Sequence, residues 1–254
     1  MTENERKGLE ALFGNAVKSH YFILEHDDDG IMLASPYDDH VLLYTENESK
    51  AKQWLWKYYY LFAGYPSITL AGTLSASVFH AQFKEYEMKG QNFWLWPADR
   101  VPVLQSAKEL QYRKAIPEDR EWLIDQLKNS PAVLSDQELK NCILDGRILI
   151  AFAEEEPACL GILRQDGSIG PVFGLAPYTN AGYEKDVEAR LIEMALQKGY
   201  VPCALVSEDD QAASELQRQS GMICCPLPVS QSVLNLSPEQ MMAALFAGNP
   251  GGFF

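Results

Sequence analysis

The sequence has 254 residues and a formal net charge of −14, from 21 Lys plus Arg and 35 Asp plus Glu. Hydrophobic residues make up 47% of it and aromatic residues 11%, which is enough for a packed core and excludes a disordered chain. The acidic balance argues against a nucleic-acid partner, which needs a basic face, and favours a cationic partner, although solubility alone also accounts for it.

The first half of the sequence predicts the element order βββαβαβ, which is an α/β or mixed α+β pattern. The predicted strands cover residues 21–24, 31–34, 41–44, 67–70 and 93–96, and the predicted helices cover 49–62 and 74–88. A connector with two prolines, residues 96–102, interrupts regular structure after these elements. We therefore predict two domains, residues 1–108 and 109–254.

The second half predicts the order β-α-α-β-β-β-α-β-α-β-β, followed by one more helix. Ser135 and Glu138 form a capping box at the start of the second helix of this half. The predicted strands cover 110–115, 148–153, 159–163, 168–175, 201–206, 223–225 and 231–234. The predicted helices begin at 117 and 135 and cover 180–197, 211–220 and 237–246. In the helix at 180–197, an apolar stripe of Tyr183, Val187, Leu191 and Met194 predicts a packed face.

The first residues are polar and charged, and no apolar run reaches the roughly 20 residues of a spanning helix. We therefore expect a cytoplasmic protein with no signal peptide and no membrane partner. The five cysteines form no C-x-x-C pair, which favours reduced thiols. All four histidines lie in the half without cysteine, so we expect no metal site. Cys203 lies mid-strand among apolar neighbours, and we interpret it as a structural thiol.

One segment of the second half carries a family resemblance. Leu175-Ala-Pro177 ends a strand, a short loop leads to Gly182-Tyr183 and a helix, and Gly221-Met222 follows the next strand and helix. This order and these motifs resemble the GNAT acetyltransferase superfamily over roughly the C-terminal half. The resemblance implies a mixed, twisted sheet flanked by helices. The N-terminal α/β half could itself be a degenerate GNAT-like half, which would make a tandem pair.

The resemblance also implies an activity, which is transfer of an acetyl group from acetyl-CoA to the amine of a small molecule or peptide. In that family a loop and a helix N-terminus hold the pyrophosphate of acetyl-CoA, as the physics of helix termini favours. The cofactor-binding residues that it implies here are Leu175, Thr179, Asn180, Ala181, Gly182, Tyr183 and Asp210.

Three positions depart from the family's pattern. Thr179 stands at the usual Gln or Arg, and Glu184 stands at the last Gly or Ala, where its charge would repel a pyrophosphate. Gln217 stands where the family often carries a proton-donating Tyr, and a Gln is no general acid. A non-catalytic acyl-CoA-binding or interaction module is therefore the alternative, and a scaffold that binds no CoA is a third interpretation.

The sequence selects no catalytic residue. Glu208, Asp209 and Asp210 follow a strand at its carboxyl end, where sites of α/β proteins form, and they are candidates for a general base. The acceptor amine stays open, and so does a homodimer.

Overall fold

The structure is a computed structural model, and it describes residues 1–35, 40–59, 67–84, 86–102, 110–128, 134–179 and 181–234. The helices are α1 (Glu3–Lys18), α2 (Glu48–Lys57), α3 (Thr73–Gln82), α4 (Arg120–Leu127), α5 (Asp136–Leu144), α6 (Glu184–Gln197) and α7 (Gln211–Ser220). The strands are β1 (Phe22–Asp27), β2 (Gly30–Ala34), β3 (His40–Thr45), β4 (Ser67–Ala71), β5 (Tyr86–Leu95), β6 (Leu110–Lys114), β7 (Ile148–Ala153), β8 (Glu156–Leu163), β9 (Ile169–Gly174), β10 (Cys203–Ser207) and β11 (Ile223–Leu234).

The chain forms two compact units, and each draws on separated stretches of sequence. The described part of the first unit is 1–21 and 91–227, and that of the second is 22–35, 40–90 and 228–234, each with the gaps given above. The predicted boundary near residue 108 and the predicted helix at 237–246 lie outside the described residues. The division into domains 1–108 and 109–254 stays a prediction.

In the second unit, β1 to β4, α2 and α3 follow the first six elements of the predicted order, βββαβα. β2 pairs antiparallel with β1 and β3, β3 pairs parallel with β4, and β4 pairs antiparallel with β11. α2 begins at Asn47, whose side chain accepts hydrogen bonds from the Ser49 and Lys50 amides, as a helix N-cap requires. Buried side chains of β2, β3, β4, α2 and α3 form one hydrophobic core.

The predicted helix at 74–88 is too long, because α3 ends at Gln82 and β5 begins at Tyr86. Phe79, Phe83 and Tyr86 are spaced like one face of a helix, and all three are buried. Phe79 stacks on Phe83 at 4.7 Å between ring centroids and meets Tyr86 edge-on at 5.3 Å. The spacing therefore reflects an aromatic cluster that the chain forms by turning from helix to strand.

The strands predicted at 223–225 and 231–234 form one continuous strand, β11. Pro226 and Pro228 interrupted the sequence pattern, because proline lacks the N–H that a ladder needs. The carbonyl of Pro228 still accepts a hydrogen bond from the Gly72 amide, at 2.8 Å. The strand therefore passes through both prolines.

The sequence interpretation did not include α1. The Thr2 hydroxyl accepts from the Glu5 amide, and the Glu5 carboxylate accepts from the Thr2 amide, which is a capping box. Leu12 and Ala16 are fully buried. The pattern Thr-x-x-Glu before apolar residues at helical spacing was the signal for this helix.

The first unit contains a four-stranded antiparallel sheet in the order β6-β7-β8-β9. α6 packs on β8 and β9 through the predicted stripe, with Val187 and Leu191 fully buried. α6 lies very close to β8 at Gly161, where a Cβ would lie 2.6 Å from the Val187 side chain. Only glycine fits there, and it holds the helix against the sheet.

Candidate functional site

The first unit has an opening between two strands, β9 and β10. They run parallel and are joined by one bridge, between Ser168 just before β9 and Cys203 at the start of β10. Beyond that bridge β9 pairs with β8, and β10 pairs antiparallel with residues 91–95 of β5. No other pairing joins β9 to β10 in the described residues, so the strands diverge toward their carboxyl ends. Ligands bind at such a crevice in α/β sheets.

Buried side chains fix the closed end of this opening. Asn15 of α1 donates to the Val201 carbonyl at 2.7 Å and accepts from the Val201 amide at 2.9 Å. Asp166 accepts from the Ser168 amide at 2.9 Å and from its hydroxyl at 2.6 Å. Burial raises the pKa of Cys203 far above its usual range, as expected for a structural thiol.

The open edge of β9 presents backbone amides. Successive N–H groups of a strand point to opposite edges, and the Leu175 amide donates to the Ala158 carbonyl of β8 at 2.8 Å. The Gly174 amide therefore points into the opening. It donates to Glu184 Oε1 at 3.1 Å, and a Cβ at position 174 would lie only 2.7 Å from that oxygen. Glu184 thus places a carboxylate oxygen where the oxygen of a ligand could bind.

The loop between β9 and α6 offers a surface to an anion. Gly182 has a φ of +79°, and no heavy atom lies within 4 Å of its ideal Cβ position. Tyr183 is the N-cap residue of α6, and it makes no side-chain capping hydrogen bond to the described residues. Free amides and the helix dipole attract an anion here, while the acidic side chains of Glu184 and Asp186 in the first turn oppose one.

The structure separates the predicted cofactor-binding residues. Thr179, Ala181 and Gly182 are exposed in the loop, whereas Leu175 is buried in a core. The Ala181 amide closes a turn by donating to the Tyr178 carbonyl at 3.0 Å. Asn180 lies outside the described residues. These contacts stay predictions.

Asp210 has a structural partner. Its side chain accepts from the Ala213 amide at 2.9 Å and caps α7, as an N-cap aspartate does. Glu208 and Asp209 are exposed in the turn that precedes it. Their carboxylates can therefore attract a cation at the carboxyl end of β10.

Several buried polar atoms on α6, α7 and β5 were missed by sequence reasoning. Among the described residues, both Glu188 carboxyl oxygens, Gln217 Oε1, Ser214 Oγ, Ser220 Oγ and Trp94 Nε1 are buried without a hydrogen-bond partner. Burial raises the pKa of Glu188 to about 8, although the nearby Gln217 side chain acts in the opposite direction. No feature of the sequence marks Glu188 as buried.

A cavity of about 350 Å³ is lined by residues of α6, by the end of α7 and by the segment 96–102. Arg100 and Lys185 bring two positive charges to it, and Ser220 lines it as well. Arg100 donates to the Gly221 carbonyl at 2.6 Å, which holds the guanidinium at the cavity wall.

Solved structures with this architecture include GCN5-related N-acetyltransferases. One from Kribbella flavida is 11% identical over 93% of this chain and 97% of its own, with a TM-score of 0.64. One from Sphaerobacter thermophilus is 13% identical over 82% and 81%, with a TM-score of 0.51. A Drosophila protein is 13% identical over 92% and 89%, with a TM-score of 0.61.

The protein has the fold of the GNAT superfamily, and the resemblance predicted from the sequence is confirmed at that level. The predicted mixed α/β class is confirmed too. No protein-family model matches the sequence, and no curated protein sequence matches it. No helix in the described ranges is long and apolar enough to cross a membrane.

Proposed function

We propose that the protein is an acetyl-CoA-dependent N-acetyltransferase that transfers an acetyl group to the amine of a small molecule or peptide. The observation that carries this proposal is the divergence of β9 and β10 beyond the Ser168–Cys203 bridge. An extended acyl-thioester arm can enter such an opening and use the edge amides of β9 as partners. The likeness to GCN5-related N-acetyltransferases in fold supports the same activity.

The residues around the opening fit acetyl-CoA in most respects. The Gly174 amide points into it and, once Glu184 moves aside, can donate to an oxygen of the arm. The uncrowded backbone at Gly182 and the start of α6 can approach a diphosphate. The carboxylates of Glu184 and Asp186 oppose that anion, so affinity depends on where Glu184 lies.

Acetyl-CoA would supply an activated acetyl group, and the chain would supply alignment. Holding an amine against a thioester carbonyl at reacting distance provides a large part of such a rate. Glu208 and Asp209, exposed beyond β10, would draw a cationic amine to the opening. The proposal further comprises a cytoplasmic location, no nucleic-acid or membrane partner, an N-terminal region that is a degenerate GNAT-like half, and a homodimer as an open alternative.

A non-catalytic acyl-CoA-binding module is the second candidate, and two observations favour it. The Glu184 carboxylate occupies the Gly174 amide in the free protein. Gln217, at the position where the family often has a Tyr, is buried and cannot protonate a leaving thiolate.

Two measurements test these functions in order. Titration with acetyl-CoA should raise the melting temperature, because a ligand that binds only the folded state stabilises it. No shift at millimolar ligand would overturn both acyl-CoA functions. Release of free thiol with a panel of amines then distinguishes the two, since only the transferase releases CoA at a rate that depends on the amine.

A further inference from the structure

The cavity lined by α6, the end of α7 and the segment 96–102 takes no part in the proposed acetyl transfer. Its volume of about 350 Å³ is at the lower end of the range for small-molecule sites, which is roughly 300–1,000 Å³. The described residues that line it all belong to the first unit. Trp96, Val101 and Ile192 are apolar members of that lining. The cavity therefore suits a small, partly apolar organic molecule.

The charge at the cavity is positive, although the chain has an excess of acids. The whole sequence has 35 Asp plus Glu against 21 Lys plus Arg. The described residues that line the cavity nevertheless include Arg100 and Lys185 and no Asp or Glu. Within the described residues, neither cation forms an ion pair. An anionic group of a ligand would therefore meet two cations and no competing carboxylate in the lining.

Arg100 is held in a position that suits a carboxylate. Its Nη1 donates to the Gly221 carbonyl at 2.6 Å, and its own carbonyl accepts from Trp96 Nε1 at 3.2 Å. Its Nε and Nη2 can then bind a carboxylate through two parallel hydrogen bonds. The bond to Gly221, which is the C-cap of α7, also offsets the negative end of that helix dipole.

Ser220 and Lys185 add further donors. Ser220 lines the cavity, and its hydroxyl oxygen is buried without a hydrogen-bond partner in the part of the chain that the structure describes. A buried hydroxyl in that state is costly, and a ligand oxygen that accepts from it removes the cost. A carboxylate only accepts, so hydroxyl, ammonium and guanidinium groups can all donate to it.

The cavity and the opening between β9 and β10 lie on different sides of α6. At 3.6 residues per turn, Lys185, Ala189 and Ile192 lie roughly 120–180° around the helix from the stripe of Val187 and Leu191 that packs on β8 and β9. The three residues therefore face away from that sheet. Glu184, which binds the Gly174 amide of β9, lies within roughly 40° of the stripe.

We propose that this cavity binds a small organic acid, whose carboxylate pairs with Arg100 and Lys185. Its apolar body packs on Trp96 and Val101. Val101 is 82% exposed, so a ligand that covers it removes apolar surface from water. This is a second ligand site, and it does not depend on the proposed transfer of an acetyl group.

Phenylacetate and isocaproate are the probes, and their amides are the matched controls because they keep the apolar body and lose the charge. In isothermal titration at least one acid should bind with a Kd below about 1 mM, and its amide should bind at least about tenfold more weakly. Added salt should weaken binding of the acid, because salt screens partly exposed charges. Equal affinity of acid and amide, or no binding of either acid at millimolar concentration, would overturn the inference.

Two variants test whether the acid lies in this cavity. Lys185→Gln should weaken binding at least about fivefold. Lys198→Gln is its control and should change affinity less than about twofold, because Lys198 caps the other end of α6 and does not line the cavity. Ala189→Leu fills the cavity from α6 without a change of charge and should abolish binding in a folded protein. Equal effects of the two lysine variants, or wild-type binding by folded Ala189→Leu, would overturn the inference.

Acetyl-CoA separates this inference from the proposed function. Saturating acetyl-CoA should leave the Kd of the acid within about threefold, because the two sites lie on different sides of α6. Competitive displacement of the acid would show that the cavity belongs to the acetyl-CoA site, and it would overturn the inference. If the acid binds as expected and acetyl-CoA does not bind, the proposed function fails and the inference stands.

Discussion

Replacing Glu184 with alanine tests the opening most directly. The substitution frees the Gly174 amide, which the carboxylate holds at 3.1 Å, and removes a negative charge from the first turn of α6. A hydrogen bond to a charged group contributes roughly 1.5–3 kcal/mol, and partial exposure of Glu184 reduces that figure. We expect acetyl-CoA binding to gain about 1 kcal/mol, which is about fivefold in Kd.

The same substitution should lower the stability of the free protein. Acidic residues in the first turn of a helix contribute roughly 0.3–1 kcal/mol through the helix dipole. The variant should therefore melt a few degrees lower without ligand and bind ligand more tightly. Opposite signs in the two measurements separate a ligand effect from general destabilisation.

Isothermal titration with acetyl-CoA is the assay, and Glu193→Ala is the matched control. Glu193 lies on the same helix, and its removal changes the net charge by the same amount, but it follows Glu184 by more than two turns. The control should leave affinity within about twofold. Unchanged or weaker affinity in Glu184→Ala would show that Glu184 does not compete with the ligand, and the reasoning would be refuted.

Three further predictions concern other residues. Gly182→Asp and Gly182→Asn impose the same backbone strain, since both side chains tolerate positive φ. If the diphosphate of acetyl-CoA lies at Gly182, Asp should weaken binding by about 1 kcal/mol more than Asn. Equal effects of the two variants in titration would show that the diphosphate lies elsewhere. Glu188 keeps its proton to about pH 8 in the folded protein and loses it near 4.5 in the unfolded chain, so the free energy of unfolding should fall by on the order of 1 kcal/mol per pH unit across that range. Urea denaturation of Glu188→Gln should lack this slope, and a slope equal to that of the wild type would contradict the burial argument. Glu138→Ala removes the carboxylate that accepts two hydrogen bonds from buried Arg164, and it should lower the free energy of unfolding in urea by roughly 3–5 kcal/mol. Asp136→Ala breaks only an exposed pair with Arg120 and should lower it by less than about 1 kcal/mol, and similar losses would reject the distinction.

The sequence predicted the elements whose signals are local. The order of strands and helices from β1 to α7 and the packed stripe of Val187 and Leu191 followed from periodicity and turn residues, and the structure confirms them. α1 carried a capping box that the interpretation passed over. The helix predicted through residue 88 was wrong because a turn brings together three aromatic rings that are also spaced like a helix face.

The candidate site was harder to predict because its contacts join distant residues. The sequence predicted that Glu184 would repel a phosphate, but only the structure shows its hydrogen bond with the Gly174 amide, ten residues earlier. Asp210 was expected to contact a ligand and also caps α7. Glu188 has no feature in the sequence that separates it from an exposed helical glutamate, since burial depends on how α7 crosses α6.

The pairing of β10 with β5 determines where the protein can be truncated. Residues 91–95 form the ladder with β10, and the Asn15 side chain hydrogen-bonds both the amide and the carbonyl of Val201. A fragment that starts at residue 109 would lose the strand at 91–95 and Asn15, and it would expose an unpaired edge of β10. Such edges promote aggregation by pairing with strands of other chains. Such a piece should precipitate rather than report on catalysis, so shortened versions ought to keep the amino-terminal helix and the strand at 91–95.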